Sequence, residues 1–398
     1  MNSVWSFSRL VTLAFVVCLA AALLSGCGGA RVAEPAPGAP APKQDTAGKP
    51  VSPAAQPLEA PVEPVPDEGA KAEVQPPAPA KERRETAASR VATDLADGYS
   101  GPGGSTVPQC WLPLVQRLEA DPKATAEVIN YFCDLPEYSP NPMGVKVKEL
   151  FTSAFLRKKK PDDGRPKAPP SRIYRNVVTA ANMAKCEAFL VDNKELFDRV
   201  EQQYPVPREV LASLLYVETR LGTYVGRDNA FWSLACMAAA DSPDLVRDGI
   251  KDIPITTKHD SWLQAKLADK SDWAYKELRA LLAFCRENKL DPHAMPGSVY
   301  GAIGICQFMP SNLTAYGADG DGDGVINLFS EADAVFSAAR YLSKHGWKET
   351  MTIDAQRTVL KRYNNLNIYA NTILALAESI RSGVVQTGPP SSPISKKT

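Results

Sequence analysis

Apolar positions along the chain change their rhythm twice, and each change marks a boundary. Near the start a single cation, Arg9, precedes the uncharged run "VTLAFVVCLAAALL", Val11 to Leu24. A short positive start before an apolar centre is the pattern of an export signal. The run is shorter than the roughly 20 residues that a helix needs to cross a bilayer core, so no spanning helix is predicted there. From Arg31 to about Pro108 no apolar period survives: "AEPAPGAPAPKQ", "PLEAPVEPVPDEG" and "VQPPAPAKERRE" are proline, alanine and charge. Such a segment cannot bury enough apolar surface to offset the entropy of ordering, which predicts an extended tether. Beyond Cys110 helical spacing returns. In "YPVPREVLASLLYVETRLGTYVG", Val210, Leu211, Leu214, Leu215 and Leu221 form one stripe, with Pro207 suited to the first turn of a helix and Gly222 to its end.

These boundaries predict a signal over 1–26, a disordered tether over 27–108, one globular region over 109–385 and a disordered tail over 386–398 that ends in "TGPPSSPISKKT". The apolar run stops at "LSGC", which resembles the bacterial lipobox. That resemblance implies lipidation of Cys27 and a membrane anchor, and Gly28 after the cysteine favours the outer membrane, facing the periplasm. About 280 residues follow Cys110, enough for a core that needs no covalent staple.

Composition narrows the chemistry. Forty-five Lys and Arg balance 45 Asp and Glu, so no basic face is available for nucleic acid. The three histidines, His259, His293 and His345, lie far apart without an HExxH pattern, which disfavours zinc, and no organic cofactor is indicated. Six cysteines fall in the globular region: Cys110, Cys133, Cys186, Cys236, Cys285 and Cys306. An exported protein meets oxidising conditions, so one to three disulfides are expected among 15 pairings. Buried free thiols are the alternative for Cys236 and Cys306, which lie in apolar helical patterns.

Glu218 interrupts the helical stripe, four residues after Leu214 and seven after Leu211. A carboxyl held among apolar groups resists ionisation, as a general acid working near neutral pH requires. The alternative is a core glutamate paired with Arg220 or Arg227. Farther on, "GSVYGAIGICQFMPSNLTAYG" sets Ser298 and Gln307 among small and apolar residues. Its glycines at 297, 301 and 304 allow the backbone to approach something bulky. "RYNNLNIYANTILA" places Tyr363, Asn364 and Tyr369 at the start of a helix, a surface suited to sugar rings.

Four blocks in order, "VETRLG", "GAIGICQFMPSN" with the aspartate loop, "ARYLSKHGW" and "RYNNLNIY", resemble the membrane-bound lytic murein transglycosylase B family. The resemblance begins near "RIYRNVV" and runs from Ile173 to about Ile380; the segment from Cys110 to Lys167 does not share it. It implies a mainly helical α+β, lysozyme-like catalytic domain that acts on peptidoglycan glycan strands. It implies cleavage of the bond between N-acetylmuramic acid and N-acetylglucosamine without water, with Glu218 giving and then taking the proton. It places Ser298, Gln307, Tyr341, Tyr363, Asn364 and Tyr369, with Tyr174 upstream, where the family holds the glycan. After the helix of Glu218, "AAADSPDLVRDG", Ala238 to Gly249, stands where the family has an aromatic, proline and basic pair that meets the peptide stem. Phe231 and Trp232 are expected beside the cleft. A water-using muramidase and a glycan-binding scaffold that does not cut are the rival functions.

The loop "GADGDGDGVINL" carries three aspartates at alternate positions. Adjacent carboxylates repel, and a hard cation such as calcium is the natural partner of several oxygens from one short loop. Aligned as an EF-hand, Asp319, Asp321 and Asp323 are ligands, Gly324 makes the turn and Val325 offers a carbonyl, but Ser330 stands at position twelve. The related transglycosylases close the loop with a later acid, here Asp333. The other reading of "SEAD" is a capping box, in which Ser330 and Asp333 satisfy the first amides of the next helix.

Overall fold

The computed structural model describes residues 106–124, 128–133, 135–157 and 172–396. The expected signal, Cys27 and the tether as far as residue 105 lie outside the described residues. The helices are α1 (Leu112–Glu119), α2 (Val128–Phe132), α3 (Asn141–Phe151), α4 (Ala180–Asp192), α5 (Lys194–Gln203), α6 (Arg208–Thr219), α7 (Ala230–Ala239), α8 (Pro243–Val246), α9 (Asp260–Glu287), α10 (Pro310–Tyr316), α11 (Glu331–Lys344), α12 (Ile353–Tyr363) and α13 (Asn367–Ser382). Strands β1 (Asp228–Asn229) and β2 (Pro296–Gly297) pair antiparallel, Asp228 opposite Gly297 and Asn229 opposite Pro296. The fold is thus mainly α with a small β element, as the sequence predicts. No described helix is long and apolar enough to cross a membrane.

Two helix pairs organise the core: α9 packs along α7, and α13 packs along α6. The stripe Val210, Leu211, Leu214 and Leu215 is fully buried in α6, which is why the periodicity was informative. Its partner α13 buries Ala370, Ile373, Leu374 and Ala377. A buried acid of α9, Glu277, accepts the Ser311 backbone N–H and hydroxyl at 2.8 Å each. It thereby supplies the start of α10 with a cap that the helix's own sequence lacks.

The segment without family resemblance belongs to the same core. Trp111 is fully buried, its indole donates to the Pro136 carbonyl at 3.0 Å, and its ring meets Phe132 edge-on. Phe132 in turn meets Phe231 at 5.3 Å between centroids. Phe231, expected beside the cleft, is therefore a core residue with no exposed surface. Trp232 is spent nearby, donating to the Glu137 carbonyl at 3.2 Å.

Two more expectations are corrected. The described part of the tail, 386–396, is docked: Ile394 is buried, and the Gln356 side chain donates to its carbonyl at 2.5 Å and accepts its N–H at 3.0 Å. Lys396 then donates to the Glu201 carbonyl at 2.7 Å. A polar-looking tail holds because one buried amide satisfies both backbone groups of its single apolar anchor. All six described cysteines are free rather than bridged. Four of them, Cys186, Cys236, Cys285 and Cys306, are buried, and desolvation pushes each thiol up to about 12.

Candidate active site

Glu218 occupies the last turn of α6, but the helix does not end at Gly222. It ends at Thr219, and Arg220 and Leu221 both take left-handed backbone, φ 53° and 59°, before Gly222 at 84°. Left-handed conformation at a residue with a Cβ costs on the order of 1–3 kcal/mol. Local bonds hold it: the Arg220 N–H donates to the Tyr216 carbonyl at 2.9 Å and the Leu221 N–H to that of Leu215 at 3.2 Å. Thr219 was not singled out in the sequence, yet it locks this turn to the next block. Its hydroxyl donates to the Ile305 carbonyl at 2.7 Å and accepts the Gly222 N–H at 3.0 Å. A polar residue closing an apolar helical stripe was the available signal.

The Tyr369 hydroxyl donates to Glu218 Oε1 at 2.5 Å. Part of the Glu218 side chain remains accessible, yet desolvation of the carboxyl dominates and raises its pKa to about 7, with the Tyr369 bond acting in the opposite direction. No arginine contributes to that shift; Arg227 lies over the Tyr224 ring, 5.8 Å from its centroid. The carboxyl is tuned by burial and one phenol rather than by an ion pair.

Behind Tyr369 stands an aromatic wall. Tyr363 lies near-parallel to it, with centroids 6.5 Å apart, and donates to the Cys306 carbonyl. Tyr341 meets Tyr363 edge-on at 4.8 Å, stacks on His345 at 4.0 Å and donates to the Arg362 carbonyl at 2.8 Å. Tyr341 and Tyr369 are buried and Tyr363 is half-buried. Tyr341 is thus placed to support Tyr363.

The remaining candidates lie in turns and at a helix end of the same blocks. Gln307 takes left-handed backbone, φ 49°, and its amide nitrogen donates to the Val225 and Gly304 carbonyls at 3.0 Å each. Ser298 closes a turn, its hydroxyl accepting the Tyr300 and Ala302 N–H groups at 3.3 and 3.0 Å, which leaves the hydroxyl proton to donate. Asn364 is half-buried at the end of α12. Tyr174 is fixed by its N–H, which donates to the Thr372 hydroxyl at 2.9 Å. The glycines at 301 and 304 admit protein rather than ligand: a Cβ at Gly301 would meet the Leu234 side chain at 2.4 Å, and one at Gly304 would meet Leu328 at 2.3 Å.

The acidic loop forms a second centre. Oxygens of Asp319, Asp321 and Asp333 lie within 4.8 Å of one another. Asp323 is not in that group; its carboxylate accepts the Val325 N–H at 2.7 Å. Asp333 is buried and accepts the Gly320 and Asn327 N–H groups at 2.7 Å each, while Ser330 makes no side-chain cap. The capping box is therefore not formed. Two carboxylates on a loop with two glycine turns, Gly322 and Gly324 at φ 81° and 86°, and one from the start of α11 fit a hard divalent cation.

Comparison with known proteins follows the same outline. The E. coli (strain K12) membrane-bound lytic murein transglycosylase B is 29% identical over 188 residues, 47% of this chain and 45% of that protein. The chain thus spans under half the length of that relative. The structure of soluble lytic transglycosylase SltB1 from Pseudomonas aeruginosa superposes with a TM-score of 0.50 at 23% identity, covering 69% of this chain and 99% of that one. E. coli lytic transglycosylase Slt35 in complex with calcium gives 0.51 at 17%, covering 73% and 97%. Pseudomonas aeruginosa SltB3 in complex with NAG-anhNAM-pentapeptide gives 0.50 at 18%, covering 72% and 84%. These structural likenesses establish the lysozyme-like fold. The family described as Transglycosylase SLT domain matches residues 146–359, more than half of the 398 residues, and the chain belongs to that family.

Proposed function

We propose that the protein is a lytic transglycosylase that cleaves the β-1,4 bond between N-acetylmuramic acid and N-acetylglucosamine and leaves 1,6-anhydro ends. One observation carries the reading. Glu218 is a single carboxyl whose pKa is raised by burial, against the lowering bond from Tyr369, with no charged partner contributing to the shift. Two-carboxylate glycosidases need such a partner; a substrate-assisted route does not.

With a pKa of about 7, Glu218 is populated in both protonation states near neutrality, which suits a group that must first give and then take a proton. The protonated carboxyl transfers its proton to the glycosidic oxygen as the C1–O bond breaks and the leaving sugar departs with its hydroxyl. The substrate's N-acetyl group stabilises C1. The C6 hydroxyl then attacks C1, and its proton returns to Glu218. Tyr369 orients the carboxylate, Tyr363 and Asn364 face the glycan, Tyr341 supports Tyr363, and Gln307, Ser298 and Tyr174 edge the sugar. Calcium held by Asp319, Asp321 and Asp333 supplies positive charge that joins the loop to α11; the Slt35 structure with calcium supports that choice of ion.

The test is the product. Digestion of purified sacculi in ¹⁸O water should release anhydro-muropeptides without label by mass spectrometry; labelled reducing ends would mean hydrolysis. For location we place the protein on the outer membrane through lipidated Cys27, supported by "LSGC" and by the membrane-bound E. coli relative. Cys27→Ala should move it to the soluble periplasmic fraction with activity on isolated sacculi intact, and unchanged fractionation would refute the anchor.

A further inference from the structure

Beside the catalytic centre lies a cavity of about 310 Å³ lined by Arg172, Ile173, Arg175, Ile368 and Thr387. Two of its lining residues adjoin the site in sequence: Ile368 precedes Tyr369, whose hydroxyl holds Glu218, and Ile173 precedes Tyr174. The segment that carries both arginines is anchored on α13, with the Tyr174 N–H donating to the Thr372 hydroxyl at 2.9 Å and the Asn371 side chain to the Arg172 carbonyl at 3.3 Å. Neither Arg172 nor Arg175 forms an ion pair among the described residues, and the first turn of α13 carries no acid. Two exposed arginines thus line one cavity with no carboxylate in its lining.

We infer that this cavity takes a carboxylate of the peptide stem borne by the glycan, an inference that rests on the proposed glycan-cleaving function. The fork of a guanidinium matches a carboxylate with two parallel hydrogen bonds. Sugar recognition asks for aromatic platforms and mixed donors and acceptors, and this lining has no aromatic ring and no carboxylate. Ile173 and Ile368 offer apolar walls for the aliphatic part of a stem, in keeping with pockets whose few charged groups set orientation. Position agrees with chemistry: stems hang from the muramoyl ring through the lactyl group, so their carboxylates lie away from the cleaved bond, and Glu218 is not among the residues that line the cavity.

The experiment compares stem-bearing glycan strands with the same strands stripped of stems by an amidase. Binding is measured by co-sedimentation in the Glu218→Gln background, with and without Arg172→Gln and Arg175→Gln together, and KM and kcat are measured with Glu218 intact. The double substitution should weaken binding and raise KM roughly tenfold or more on stem-bearing strands, leave kcat within about twofold by the same reckoning, and leave stripped strands unaffected. Retained binding of stripped strands also shows that the variant is folded. Stripped strands keep a lactyl carboxylate, so an equal loss on both would assign the arginines to that group or to the fold and overturn the stem assignment. No loss on either would overturn it as well. Because binding is read without the products, hydrolytic products alongside a stem-dependent binding loss would remove only the transglycosylase reading.

Discussion

Glu218 and Asp319 are both carboxylates followed by left-handed backbone, and the protein drives them in opposite directions. Glu218 receives one hydrogen bond, from Tyr369, and desolvation raises its pKa to about 7. Asp319 is exposed, and the backbone N–H groups of Gly324 and Gly322 hold its pKa below the ordinary value. Its neighbour Asp333 is buried and shifted upward, chiefly by desolvation, despite two amides of its own. The ratio of desolvation to donated N–H groups therefore decides which carboxyl keeps a proton. Glu218 is held where it can exchange a proton near neutrality, and Asp319 is held ionised.

The largest effect expected of this contrast is on rate. Glu218→Gln preserves shape but cannot transfer a proton, and general acid–base catalysis alone is worth roughly 10²–10⁴. Since one residue serves two transfers, anhydro-muropeptide release should fall by about 10⁴ or more, while strand binding persists; a variant retaining a tenth of the wild-type rate would make Glu218 a structural glutamate. At the other centre the effect should fall on stability alone. With calcium a few hundred times above its dissociation constant, removal by chelation should cost about 3 kcal/mol by mass action. Asp321→Ala should abolish that difference in calorimetry, and an unchanged melting curve on chelation would count against the ion.

A third test uses the sign of the Glu218 shift. Between the ordinary value of 4.5 and about 7 the folded state holds more protons than the unfolded chain, so this group's contribution makes stability fall as pH rises through that window. Replacing the acid with glutamine removes the penalty. Glu218→Gln should match the wild type at pH 4 and exceed it at pH 8 by roughly 1–3 kcal/mol, measured by urea unfolding at both pH values. The smallest effect concerns the phenol. Tyr369→Phe deletes the one bond that favours the ionised carboxyl, so the alkaline limb of the pH–rate profile should move upward from near 7, with a rate loss of about tenfold. An unmoved limb would separate Tyr369 from the protonation of Glu218.

Much of this was legible along the chain because both centres announce themselves locally. A carboxylate on a buried stripe is visible in one helix, and aspartates at alternate positions between glycines are visible in one loop. Asp333, which the resemblance assigns to the loop, has its carboxylate within 4.8 Å of those of Asp319 and Asp321. Phe231 misled because a single helix's apolar face does not say which neighbour covers it, and the neighbour was the unrecognised segment around Phe132. The end of α6 misled for a related reason: Gly222 looked like the natural terminator, but Thr219 and Ile305 hold a turn in which Arg220 and Leu221 bear the strain.

By itself the sequence determined the helix of Glu218, the acid on it and the spacing of the loop, since periodicity and turn chemistry act between residues a few positions apart. Only tertiary structure decided which carboxyl keeps its proton, because Tyr369 lies 151 residues from Glu218 in the chain and desolvation is the sum of everything packed around a group. Folding likewise left the six described cysteines free and anchored the tail through Gln356 and Ile394. It also brought Arg172 and Arg175 to a cavity beside Ile368, because contacts between distant segments are set by how apolar faces pack together and not by any pattern within one of them.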